Sequence, residues 1–152
     1  MLECGMPTVT PFLWIQHPVA DAAAFYAGLF DDAEIVSGPH SDEHMSSATV
    51  RLAGQTLHLF NAGSRRELTE AFSLVVTCAT QQQIDRLWEG LCDGGEPSMC
   101  GWVTDRFGVT WQIVPERLQE WLGDPQRGGE VAKVMLGMQK LEIAPLESAL
   151  RG

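Results

Sequence analysis

The chain contains a diverged copy of its own first half, and this constrains the fold more than any other feature. The stretch Cys100-Gly-Trp-Val-Thr-Asp-Arg-Phe-Gly-Val-Thr-Trp-Gln-Ile-Val-Pro115 sets two β-prone runs around an Asp105-Arg106-Phe107-Gly108 turn. After the turn, Thr110 and Gln112 alternate with Trp111 and Ile113, the pattern of a half-buried strand. Arg51-Leu-Ala-Gly54-Gln-Thr56-Leu-His58-Leu-Phe60 aligns with Asp105 to Val114, so that Gly54 matches Gly108, Thr56 matches Thr110 and His58 falls on Gln112. Upstream, Phe25 to Glu34 aligns with Leu87 to Glu96, with identities at Gly28/Gly90, Leu29/Leu91, Asp31/Asp93 and Glu34/Glu96. The two offsets, 62 and 54, differ by eight residues. The first copy therefore carries an insertion between its helix and its last strand, in or near Gly38 to His44. The expected architecture is α+β: two tandem βαβββ units, about 8–61 and 70–115, forming a curved mixed sheet around a shared cleft.

In order along the chain, Thr8 to Ile15 predicts a strand, placed at a sheet edge because Pro11 cannot donate to a ladder. Ala20 to Phe30 predicts a helix opened by Pro18. Glu34 to Ser37 predicts a short strand, and the polar Gly38 to His44 a loop. Met45 to Leu52 and Gln55 to Asn61 predict a hairpin about Ala53-Gly54. A charged connector, Ala62 to Glu70, precedes a second strand-helix pair: Phe72 to Cys78, then Gln81 to Cys92 with Thr80 as N-cap and Gly94-Gly95 as stop. Pro97 to Cys100 predicts a short strand before the final hairpin. Residues 116–152 lie outside the repeat. Glu116 to Leu122, Glu130 to Leu141 and Ala144 to Leu150 predict a C-terminal helical extension. Its stripe Val131, Val134, Met135, Met138 and Leu141 must be covered, either by its own domain or by a second subunit at a dimer interface.

Twenty Asp and Glu against ten Lys and Arg give a net charge of −10, which argues against a nucleic-acid partner because phosphate binding needs clustered cations. No apolar run approaches the roughly 20 residues of a membrane span, and Met1 to Gly5 shows no signal-peptide pattern. Cysteines at 4, 78, 92 and 100 form no Cys-x-x-Cys pair and suit reduced thiols in a cytoplasmic protein.

Strand parity predicts a site. Leu57, Leu59, Trp111 and Ile113 have the apolar parity of the helix side, so Thr56, His58, Phe60, Thr110, Gln112 and Val114 face the cleft. The offset of 62 adds Thr10, Phe12 and Trp14 from the first strand and Phe72, Leu74 and Val76 from the fifth. Apolar walls with few polar groups suit a small organic ligand. A closed, filled core is the alternative, although a Thr, a His and a Gln on one interior are costly unless hydrogen-bonded. His40, Asp42, Glu43 and His44 are read as a solvated loop in preference to a metal site, and Asp105 and Arg106 as turn and surface residues.

Thr10-Pro11-Phe12-Leu13-Trp14, the Phe25-Tyr26 pair, Phe72-Ser-Leu-Val-Val76 and, above all, Cys100 to Pro115 resemble the vicinal oxygen chelate (glyoxalase/bleomycin-resistance/dioxygenase) superfamily. The closer resemblance is to its PhnB-like branch, labelled 3-demethylubiquinone-9 3-methyltransferase-like. In metal-dependent members of that superfamily, four ligands come from the first and last strands of each unit, and the matching positions here are Thr10, His58, Phe72 and Gln112. Only His58 is a good ligand, so the resemblance implies a degraded metal site. No metal or other cofactor is expected, with a divalent metal held at His58 in an incomplete shell as the alternative. Methyl transfer lacks support, because no two glycines are separated by a single residue as a Gly-x-Gly donor-binding turn requires.

The expectation is a metal-free, largely apolar pocket in a homodimer, binding or acting on a small molecule. His58 would serve as general base or acid and Gln112 would orient the ligand, with Thr10, Phe12, Trp14, Thr56, Phe60, Phe72 and Thr110 as binding residues. A metal-dependent lyase or dioxygenase, a drug-sequestering binding protein and a purely structural dimer are the other readings.

Overall fold

A computed structural model describes residues 5–63 and 65–152, so Cys4 lies outside the described residues. The chain divides into two units, residues 1–67 and 68–152.

In the first unit, strand β1 (Phe12–Trp14), helix α1 (Val19–Leu29) and strands β2 (Ala33–Ser41), β3 (Ser46–Leu52) and β4 (Gln55–Asn61) form one sheet in the order β1-β4-β3-β2. β1 runs parallel to β4 and occupies the edge expected from Pro11, whose carbonyl accepts from the His58 N–H at 3.0 Å. The β3–β4 hairpin turns through Ala53 and Gly54, with φ of 47° and 86°. Two positive φ angles give the two-residue turn whose twist matches the flanking strands. α1 spaces Val19, Ala22, Ala23, Tyr26 and Leu29 along one buried stripe. It packs against β2, β3 and β4, and the same core takes in Leu13, Val50, Leu57 and Leu59, each no more than 1% exposed. Ile35, by contrast, remains 38% exposed. Small Ala side chains at the helix face let α1 approach the sheet closely.

The loop expected over Gly38 to His44 is corrected. β2 continues through Ser41, with His40 opposite Ser47 and Ser41 opposite Ser46. Two register shifts interrupt the pairing, between Ile35 and Ser37 and between Ser37 and His40, and the second spans the cis Gly38-Pro39 peptide. Polar composition suggested a loop, yet an edge strand with solvent on one side tolerates polar residues and bulges. The eight extra residues of the first copy lengthen a hairpin.

The second unit repeats the topology. β5 (Leu74–Cys78), α2 (Gln81–Cys92), β6 (Glu96–Pro97), β7 (Trp102–Thr104) and β8 (Thr110–Pro115) give the order β5-β8-β7-β6, again with the first strand parallel to the last. α2 begins in a capping box: the Thr80 hydroxyl accepts from the Gln83 N–H at 3.2 Å, and the Gln83 side chain accepts from the Thr80 N–H. This satisfies donors that the first turn leaves orphaned. Ile84, Leu87 and Leu91 form its buried stripe.

The C-terminal segment folds as α3 (Leu118–Leu122), α4 (Gly128–Leu136) and α5 (Ile143–Arg151). The single helix expected over Glu130 to Leu141 ends at Leu136, capped by the Gly137 N–H on Val134 O. Val131, Leu141 and Leu146 are fully buried in a cluster with Val114, Leu118 and Trp121. The arm's apolar stripe is thus covered in large part within its own unit. Each of those side chains contributes roughly 1.5–3 kcal/mol of burial.

Candidate functional site

The first sheet presents a face opposite to that of Leu13, Leu57 and Leu59. The ladders place Phe12 beside His58 and Trp14 beside Phe60 on β4, and Thr49 beside His58 from β3. Four predicted site residues, Phe12, Trp14, His58 and Phe60, are thereby brought together, with Thr56 two residues before His58 on the same side of β4. Thr10 lies just before β1 and is half-buried. The aromatic rings touch: Phe12 and Phe60 have centroids 5.2 Å apart, and Trp14 meets Phe60 edge-on at 4.9 Å. Phe12 is 57% exposed, an unusual position for a phenyl ring that has neighbours to pack on. The Arg66 guanidinium lies over the Trp14 ring at 5.0 Å, and its backbone is tied down by Gln16, whose side-chain N–H donates to Arg66 O at 2.8 Å.

His58 is half-buried, and its Nδ1 lies 2.9 Å from the Thr49 hydroxyl. Among the described residues Nε2 has no hydrogen-bond partner. An imidazole oriented through one nitrogen and free at the other is equipped to accept or donate a proton at the second. Thr49 and Arg66 were not singled out from the sequence. Thr49 follows from pairing His58 across the hairpin, whereas nothing in the connector's composition distinguished Arg66 from Arg65.

In the second sheet the register is Val75 against Gln112. The first sheet pairs Phe12 with His58, so the fifth strand is offset from the first by 63 residues, and the offset of 62 is corrected. Leu74 and Val76 then lie on the half-buried side with Cys78, while Val75 at 56% exposure and Thr77 take the positions of Phe12 and Trp14. A slip of one residue exchanges the two faces of a strand. The partner of Thr10 is Ser73, and its hydroxyl accepts from Gln112 Nε2 at 2.9 Å. Phe72 precedes the strand, 48% exposed, with its N–H on Thr69 O. Thr110 is 4% exposed and its hydroxyl pairs with that of Thr104 at 3.2 Å. Val114, expected to face the cleft, is packed among the C-terminal helices.

Asp105, read from sequence as a turn residue on the surface, is buried at 4% exposure. Its Oδ1 accepts from the N–H groups of Phe107 and Val109 at 2.8 and 3.1 Å, and its Oδ2 from Trp111 Nε1 at 2.8 Å. The carboxylate pins the turn to the strand that carries Gln112.

A groove of about 440 Å³ opens between the starts of α2 and α5, lined by Thr80, Gln81, Asp85, Lys140 and Glu147 among others. Its polar groups serve the fold. Gln81 accepts from Ile143 N–H at 2.7 Å and donates to Leu141 O, and Lys140 pairs with Asp85 at 2.9 Å. The hydrogen bond from Gln81 and then the Lys140 ammonium hold the Asp85 carboxyl below its usual range. With Gln81, Asp85 and Lys140 engaged in holding the helices together, the first sheet's face is the stronger candidate.

The donors on that face do not fit a divalent metal. His58 stands among Phe12, Phe60 and Thr49 with no carboxylate beside it, and among the described residues no three His, Cys, Asp or Glu side chains group together. An open catalytic metal site needs about three such ligands. On β2 and after it, His40 Nε2 lies 3.1 Å from the Ser37 hydroxyl, and Asp42 Oδ1 accepts from the N–H groups of His44 and Met45, which lowers its carboxyl.

Residues 7–114 match a family model described as 3-demethylubiquinone-9 3-methyltransferase. A Bacillus cereus PhnB protein, named for the same methyltransferase, shares 31% identity over 71% of this chain and 99% of its own, with a TM-score of 0.62. The fosfomycin resistance protein FosX of Listeria monocytogenes has the same fold at a TM-score of 0.58 and 16% identity, over 79% of this chain and 97% of its own. A glyoxylase/bleomycin resistance protein/dioxygenase domain from Frankia does so at 0.51 and 13%, over 73% and 93%. No curated protein matches.

Proposed function

The chain belongs to the 3-demethylubiquinone-9 3-methyltransferase (PhnB-like) family of the glyoxalase/bleomycin resistance/dioxygenase superfamily, and from that premise we propose that it binds a small organic molecule on the open face of its first sheet without a metal. The observation that carries this reading is the exposed Phe12 ring, packed with half-buried Phe60 and Trp14, beside a His58 oriented by Thr49. Exposed rings supply dispersion and apolar area to a ligand, and the free imidazole nitrogen supplies direction. Where the bound molecule reacts, His58 acts as the general base or acid. Gln112, held by Ser73, has an orienting role toward a ligand on its own sheet. The family's name does not carry methyl transfer to this chain, which lacks a Gly-x-Gly turn for the usual donor.

A homodimer belongs to the same proposal, supported by the apolar surface left at Phe72, Val75 and Leu136. So does a cytoplasmic setting, supported by the free thiols Cys78, Cys92 and Cys100. Among the described residues no helix is long and apolar enough to cross a membrane.

The test is a small-molecule screen by thermal shift on chelator-treated protein, repeated on Phe12→Ala/Phe60→Ala and on His58→Ala. Hits that disappear in both variants support the reading. Stoichiometric metal found by mass spectrometry in untreated protein and lost in His58→Ala would overturn its metal-free part.

A further inference from the structure

We infer that the molecule bound on the first sheet is an organic anion: a planar apolar body over Phe12 and Phe60 with an acidic group held by Arg66. This rests on the binding reading above and specifies the ligand class. The chain as a whole is acidic, with a net charge of −10, so its long-range field repels anions and an anion site must be made locally.

Arg66 has what such a site needs. Arg51, Arg106, Arg117, Lys133, Lys140 and Arg151 each pair with a carboxylate. Arg66 has no such pair among the described residues; its guanidinium lies instead over the Trp14 ring at 5.0 Å, and its own carbonyl accepts from Gln16. A cation–π contact leaves the planar fork of N–H donors unused. The Trp14 indole N–H is itself buried, so the ring serves as a platform for the guanidinium and not as a donor to the ligand. A guanidinium without a carboxylate partner among the described residues, beside the exposed Phe12 and its half-buried neighbours Phe60 and Trp14, suits an acceptor that the ligand brings. A carboxylate, sulfonate or phosphonate supplies it, and bidentate geometry favours Arg for such groups. From Arg66 the ring contacts run through Trp14 and Phe60 to Phe12, which is paired with His58. The ligand therefore carries its charge at one end and meets the imidazole at the other.

The experiment measures the binding of 1-naphthoate, neutral 1-naphthamide and cationic 1-naphthylmethylammonium by calorimetry at low and moderate salt. Wild type, Arg66→Gln, Arg66→Lys and Phe12→Ala/Phe60→Ala are compared, with melting curves confirming that each is folded. Naphthoate should bind about ten-fold or more tightly than the amide, as a charge-assisted hydrogen bond warrants. Arg66→Gln should erase that preference, Arg66→Lys should keep part of it, and salt should shrink it. Equal binding of all three probes, or a preference for naphthoate that survives Arg66→Gln, overturns the anion assignment. If the probes bind equally and are all lost in Phe12→Ala/Phe60→Ala, the binding face stands and only the charge class falls. Failure of all three to bind overturns both.

Discussion

Thr49 and His58 face each other across the β3–β4 ladder, with the Thr49 hydroxyl 2.9 Å from His58 Nδ1. The pair is local in space and was built by the hairpin's register, so the imidazole's orientation depends on one hydroxyl. Thr49→Val keeps the β-branched shape and removes the hydrogen bond. It should weaken ligand binding roughly three- to ten-fold, the worth of one neutral hydrogen bond, with little change in melting temperature. His58→Ala should abolish the ligand response with the fold retained. Calorimetry beside circular dichroism reads both, and full binding in His58→Ala would remove the imidazole from the site.

The Asp105 carboxylate serves three donors in a buried turn, so replacing it is costly. Asp105→Ala should lower stability by about 3 kcal/mol, because the Trp111 indole N–H and two backbone N–H groups lose their acceptor. Trp111→Phe removes one of those bonds plus some packing and should cost about 2 kcal/mol. Urea denaturation of the two variants and their double mutant gives the coupling between them, which should be clearly different from zero.

Neighbouring glycines at the start of α4 should respond in opposite ways. A Cβ on Gly128 would lie 2.2 Å from Leu122 O, whereas one on Gly129 meets nothing within 4 Å. Gly128→Ala should destabilise by about 3 kcal/mol through forced movement of the α3–α4 connection. Gly129→Ala should be neutral or stabilise by up to about 1 kcal/mol from helix propensity. Thermal melts of the two variants decide this.

Burial pushes the Cys78 thiol up to about 11, from an ordinary value of 9.0. The folded state therefore keeps its proton where the unfolded chain releases it. Stability is unaffected below pH 9 and declines as pH rises from there toward about 11, at up to about 1.4 kcal/mol per pH unit. Cys78→Ala should flatten that decline relative to wild type in urea midpoints measured from pH 8 to 11. Native protein at pH 8 should also leave Cys78 unalkylated by iodoacetamide.

Much of this was legible from side-chain pattern. The repeat, the β4 and α2 boundaries and the Thr80 cap follow from local periodicity and capping chemistry, which act within a few residues. The edge position of β1 followed from Pro11. What the pattern missed depends on pairing between distant segments. The second half of β2, from Gly38, looked like a loop because its polar residues face solvent on an edge. Val114 looked like a cleft residue because alternation does not reveal that the C-terminal helices cover its side of β8. Asp105 looked like a surface turn residue because its role needs Trp111, six residues on, to fold back over it. Arg66 and Trp14 are 52 residues apart in sequence, and only the fold joins them.

The difference between 62 and 63 residues has a consequence for how this chain would be compared with itself or with relatives. Helices align across the two halves at one spacing and the strands before them at another, so a one-residue gap belongs in the second half's strand-to-helix connection. An ungapped superposition of the halves swaps Ser73 for Phe72 and assigns a bulky ring to a place where a hydroxyl meets Gln112. Motif transfer between halves therefore has to follow hydrogen-bonded partners and not residue counts; otherwise every residue on that strand is credited with its neighbour's surroundings.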